Sequence, residues 1–147
     1  MTSAELPETL REIANDFAEL GKNDQLQLLL EFSNELPELP EAYSQRKELF
    51  ERVLECQSPV FLFVEVDADD VVTIHATAPA ESPTTRGFAS ILLQGLNGLS
   101  AEQVLNVPVD YPDMLKISAT VSPLRLRGMA GILQRIQRQV QEKRSTR

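Results

Sequence analysis

The chain has 147 residues, a formal net charge of −8, 42% hydrophobic and 24% charged residues, one cysteine and no tryptophan. These values fit one ordinary soluble domain spanning 1–147, with a core built mainly of Leu, Val, Ile and Ala. They exclude an intramolecular disulfide and, because no apolar run approaches the ~20 residues a bilayer needs, a membrane-spanning helix. The acidic start "MTSAELPETL" lacks the basic region of a signal peptide, and one unpaired cysteine fits a reducing compartment. The expected location is the cytoplasm.

Leu10, Ile13, Ala14, Phe17 and Leu20 recur at helical spacing and predict a helix from Pro7 to Leu20, with Gly21 as its left-handed C-terminal residue. A second helix is expected from Asp24 to Glu35, capped by Asn23, with Leu26, Leu29, Leu30 and Phe32 on its apolar side. Pro37 and Pro40 then break regular structure. "VFLFVEV" (60–66) and "VVTIHA" (71–76) read as a hairpin around the turn "DADD" (67–70), with a shorter strand near 52–55. Ser82-Pro83 opens a helix to about Leu96, Ser100 with Gln103 has capping-box spacing, and Ser122-Pro123 opens a last helix to about Gln141. Helices, a small antiparallel sheet and more helices predict an α+β domain with the helices packed on one face.

Charge is unevenly spread. Residues 1–124 hold 21 acids and 7 bases (−14), whereas 125–147 hold 1 acid and 7 bases (+6). A basic tail can touch nucleic acid, but the acidic body would repel phosphate and no aromatic-studded basic groove is visible. No nucleic-acid partner is expected.

The sole cysteine, Cys56, stands in "LECQSPVF" (54–61), just before the first long strand. No CxxC is present for dithiol exchange, and one Cys with one His falls short of a metal site. With Val66 opposite Val71, His75 would face Leu62, placing Cys56 about 20 Å further back along an extended strand, so a Cys–His hydrolase is not favoured. One-thiol chemistry remains: a thiolate can accept a sulfur atom as a persulfide and pass it on. A packed structural cysteine is the plainer reading of composition and spacing alone.

The segment "ECQSPVF" resembles the Cys-x-Ser motif of the SufE family, sulfur acceptors that serve cysteine desulfurases in iron–sulfur cluster assembly. Cys56, Gln57, Ser58 and Val60 match it; Glu55 stands for the usual glycine and Phe61 for the usual tryptophan. "LLLEFSNELPELPEAY", "TTRGFASILL", "LSAEQVLNVP" and "VSPLRLRGMAGIL" resemble further family blocks in order, from about residue 24 to 140, including Pro123, Arg125 and Gly128. The resemblance implies a fold shared with the scaffold protein IscU. It also implies that Cys56 takes persulfide sulfur from a SufS-like desulfurase, stimulates that enzyme, and delivers the sulfur to a SufBCD-like scaffold. The pyridoxal phosphate would belong to the desulfurase, with no cofactor or metal on this chain. The chain would be a covalent carrier and activator rather than a stand-alone enzyme.

Around Cys56 the resemblance suggests supporting roles for Ser58, Gln57 and Arg125. Ser58 also suits a turn hydrogen bond, and Arg125 a solvated helix surface. Glu55 and Glu81 are candidate partner contacts; Glu81 would fall opposite Cys56 in an extended hairpin, or serve as a helix N-terminal acid. The Glu55 charge should raise the thiol pKa. Arg86-Gly87 reads as helix packing. A non-covalent regulatory adaptor with Cys56 merely packed, and a cysteine redox sensor, are the alternatives.

Overall fold

The computed structural model describes residues 6–145. Two helices open it, α1 (Glu8–Ala18) and α2 (Lys22–Asn34). The expected left-handed Gly21 is instead extended, at φ −78° and ψ 174°, and is the N-cap of α2, so Asn23 lies inside that helix. No left-handed residue is needed because the N–H groups of Glu19 and Leu20 already take the carbonyls of Asn15 and Phe17. The buried stripe of α2 is Gln25, Leu29 and Ser33, leaving Leu26 and Leu30 exposed. Gln25 is buried because its amide is satisfied: Nε2 donates to Phe17 O at 2.9 Å and Lys116 O at 3.1 Å, and Thr120 Oγ1 donates to its Oε1.

A one-turn helix, α3 (Glu41–Ser44), and a 3-10 turn (Lys47–Leu49) lead into β1 (Glu51–Arg52), β2 (Phe61–Val66) and β3 (Val72–Thr77), an antiparallel sheet in the order β1-β2-β3. The strand expected near 52–55 is therefore only the pair Glu51–Arg52. The hairpin register is also shifted by one residue from expectation: Val66 faces Val72 and Phe63 faces His75. The cause is local. Asp67 Oδ1 accepts from the N–H groups of Asp69 and Val71, Asp67 N–H donates to Val71 O at 3.0 Å, Asp70 takes a left-handed φ of 67°, and Val71 also bridges Ser100.

Leu62, Val64, Val72, Ile74 and Ala76 form the buried face of the sheet, as strand alternation requires. Against it lie α4 (Pro83–Leu96) and α7 (Pro123–Ser145), with α5 (Ala101–Leu105) and α6 (Tyr111–Met114) bracing α7. The capping box of Ser100 and Gln103 is formed as expected. α4 is the core helix: Phe88 to Leu93, then Gly95 and Leu96, are all buried, one side toward β3 and α7 and the other toward α1 and α2. On the opposite face of the sheet His75 stacks on Tyr43 at 4.3 Å, beside Phe63, and shares Glu65 with the Tyr43 hydroxyl.

Both flanks of the β2–β3 hairpin are covered in part by groups other than strands. β1 covers only the start of β2; beyond it Val64 N–H donates to Gln139 Oε1 at 2.9 Å, and Lys143 Nζ donates to Val64 O at 2.5 Å. At the other edge Val72 pairs with the backbone of Gly98 and Leu99, and Ile74 N–H donates to Asn97 Oδ1 at 2.6 Å. No helix among the described residues is long and apolar enough to cross a membrane.

α1 packs tightly on α4 at Gly95, where an added Cβ would lie 2.1 Å from Leu10 Cδ2 and 2.6 Å from Leu10 Cγ. Glycine to alanine inside a helix normally stabilises by up to ~1 kcal/mol. Here the overpacking should win, and Gly95→Ala should destabilise by about 1–3 kcal/mol in urea unfolding.

Candidate functional site

Between β1 and β2 the chain makes a loop, residues 53–60. Its base is pinched by Val53 N–H to Val60 O at 2.8 Å, and inside it Cys56 N–H donates to Val53 O at 3.1 Å. These bonds turn the Cys56 side chain inward, and the residue is only 7% exposed. The loop rests directly on α7. A Cβ at Gly128 would stand 3.2 Å from Cys56 Sγ, and one at Gly131 would stand 2.7 Å from Glu55 Cβ and Cγ. Two interior helix glycines cost stability relative to alanine; three residues apart on one face, they give the loop a flat seat.

The thiol is held as a donor, with Sγ pointing to Gly128 O at 3.6 Å. Burial is the main cause that pushes its pKa up, to about 11; the adjacent Glu55 charge adds to this and Arg135 opposes it. The expected effect of Glu55 is thus present but secondary to desolvation. At pH 7 only about one molecule in 10⁴ would carry a thiolate in this conformation. Beside Sγ lies a cavity of about 40 Å³, bounded by Cys56, Ser58, Thr85, Phe88, Leu124 and Arg125 among others. That is enough for one small added group.

Five of the residues singled out from sequence, Glu55, Cys56, Gln57, Ser58 and Arg125, meet at this cavity. Ser58 does not point at the sulfur: its Oγ donates to Ser82 Oγ at 2.6 Å, tying the loop to the start of α4. Gln57 is exposed. Arg125 is exposed in the first turn of α7, with its guanidinium unpaired among the described residues. Glu81 is not among the cavity residues; β2–β3 pairing stops at Phe61 and Thr77, so it lies in the turn before α4 rather than opposite Cys56. Arg86 is a packing residue, donating to the carbonyls of Ser33, Leu36 and Ala78. His75, stacked on Tyr43, is likewise no part of the cavity.

Sequence reasoning missed Arg135 and Glu51. Arg135 Nε donates to Glu55 Oε1 at 2.7 Å and Nη2 to Oε2 at 3.2 Å, while Nη1 donates to Glu51 Oε2 at 2.5 Å. Arg138 and Gln139 also hold Glu51. These contacts lower the pKa of both carboxyls, foremost through Arg135 for Glu55 and against the cost of burial for Glu51. The nearest local pattern is Gly-x-x-Gly in α7 with Arg135 one turn beyond Gly131, which marks a close approach but names neither partner. Among the described residues no group of three or more His, Cys, Asp or Glu could hold a metal ion.

Residues 11–140 match the family described as SufE: Fe-S metabolism associated domain. The chain is 50% identical over 139 residues to a SufE-like protein of Mycobacterium tuberculosis, covering 95% of this chain and 96% of that one. It is 26% identical to the chloroplastic/mitochondrial SufE-like protein 1 of Arabidopsis thaliana, over 91% of this chain and 35% of that protein. The solution structure of a hypothetical protein from Thermus thermophilus superposes with a TM-score of 0.82 at 34% identity, covering 95% of this chain and 98% of that one.

Iodoacetamide should therefore find Cys56 nearly inert in the native chain at pH 7, with reactivity still rising above pH 9. In urea the rate should instead level off near an ordinary thiol pKa of about 8.5. The contribution of the raised pKa is complete below the unfolded value and is lost as pH rises through the folded value, so stability should fall from about pH 9 toward 11.

Proposed function

The chain belongs to the SufE family of Fe-S metabolism proteins, and from that premise we propose that Cys56 accepts persulfide sulfur from a SufS-like cysteine desulfurase and hands it to a SufBCD-like scaffold. The observation that carries the proposal is the chain's only thiol, buried beside a small, partly open cavity with room for one added group.

The chemistry is a thiol exchange without net oxidation. Cys56 thiolate attacks the terminal sulfur of the donor persulfide; the donor S–S bond breaks, a new one forms to Cys56, and the donor cysteine leaves as a thiolate. The proton that Cys56 gave up is available to that leaving group. The resting conformation opposes the attack, since the thiol is buried and protonated. The loop has to lift from α7, and in water its pKa then relaxes toward about 8.5, raising the thiolate fraction at pH 7 by about 10²-fold. On return, the cavity beside Sγ receives the added sulfur and shields it from stray thiols. Arg125, at the cavity and free of other bonds among the described residues, is the group placed to favour the persulfide anion.

The same burial also suits a packed cysteine in a non-covalent adaptor of a desulfurase. It lends no support to a redox sensor, whose thiol is typically exposed and ionised at rest. Incubation with a desulfurase and free cysteine, followed by mass spectrometry, should show the Cys56 peptide heavier by one sulfur atom. Cys56→Ser should lose all stimulation of the desulfurase while keeping its circular dichroism. Full stimulation by Cys56→Ser, with no added sulfur on the wild type, would favour the adaptor.

A further inference from the structure

We propose that Arg135 and Glu55 form a latch that pins the Cys56 loop to α7 and sets how often the thiol is released. The existence of the latch is independent of the sulfur-acceptor reading; its purpose rests on that reading.

Between its two ends the loop is held to other elements through Ser58–Ser82, the weak Sγ contact to Gly128 O, and Arg135. The Arg135 bond is the strongest of these in kind, because both carboxylate oxygens of Glu55 accept from the guanidinium. Its third nitrogen holds Glu51 of β1, so one planar group spans the strand before the loop and the residue next to the thiol. The arrangement is partly withdrawn from water, with side-chain exposures of 20% for Arg135, 24% for Glu51 and 40% for Glu55. It also depends on Gly131. The Glu55 side chain lies flat over that bare position, and a Cβ there would come within 2.7 Å of two of its carbons and 2.9 Å of Cδ. Arg135 is thus a positioning residue, acting on Cys56 through Glu55.

A latch and simple charge effects make opposite predictions at one position. Glu55 disfavours the Cys56 thiolate and Arg135 favours it. Through-space charge alone therefore makes Glu55→Gln faster to alkylate and Arg135→Gln slower. A latch makes both faster, because either change frees the loop.

The test is the alkylation rate of Cys56 in the full chain by iodoacetamide at pH 8, with no desulfurase present. Each single variant should react about 3- to 10-fold faster than wild type, and the double variant little faster than either single one. Gly131→Ala, which leaves every charge in place, should also react faster. Ile13→Val, a buried change in α1 away from the latch, supplies the rate expected from lost global stability alone. The proposal is overturned if Arg135→Gln reacts no faster than wild type, if Gly131→Ala does not, or if neither exceeds the Ile13→Val control at matched melting temperature. Sulfur loading plays no part in these rates, so failure of the carrier reading and failure of the latch are separate results.

Discussion

The site depends on one close contact, the seating of the Cys56 loop on the bare backbone of α7. Without side chains at Gly128 and Gly131, the loop approaches near enough for Sγ to reach a helix carbonyl and for Glu55 to lie along the helix surface. Desolvation of the thiol follows from that approach, and the raised pKa follows from desolvation. A single bulky residue at either position would lift the loop and change all three properties together.

α7 carries more than this seat. Successive turns of the same helix provide Arg125 at the cavity, the two glycines under the loop, Arg135 to β1 and the loop, and Gln139 and Lys143 to the edge of β2. The surplus of bases in residues 125–147 is partly consumed inside the molecule, by Glu51 and Glu55. The charge asymmetry of the sequence thus reflects an internal pairing of helix with loop and strand as much as an exposed basic surface. The negative body and positive helix attract one another across the site.

Long periodic segments were legible in the sequence. The hairpin, the core helix α4, the Ser-Pro helix starts and the capping box at Ser100 follow from local propensity and alternation. The misses came where a distant partner or a side chain decided a local outcome. Asp67 took the N–H of Val71 and moved the register by one residue; the Gln25 amide, bonded to Phe17 and Lys116, turned α2 so that Leu26 faced out. At the site, Cys56 and its neighbours lie together in sequence and could be read together. Arg135 and Glu51 could not, because the ion pairs that join α7 to the loop and β1 bridge about 80 residues. The family resemblance identified the cysteine, but a position where this chain departs from the usual glycine, Glu55, proved to be the one most firmly engaged.

The edges of the sheet bear on how this protein meets others. Many proteins recruit an extended segment by letting it complete an unfinished sheet, using unpaired backbone groups as the template. Much of that template is already taken along β2 and the start of β3. One border is occupied by amide and ammonium groups projecting from α7, and the other by Asn97 and the 98–100 connection. Leu54 in the Cys56 loop and Leu124 at the cavity are exposed apolar side chains beside the thiol site. Along the covered stretches of β2 and β3 an approaching chain meets side chains and a turn before it meets free backbone, which leaves little template for edge-to-edge stacking.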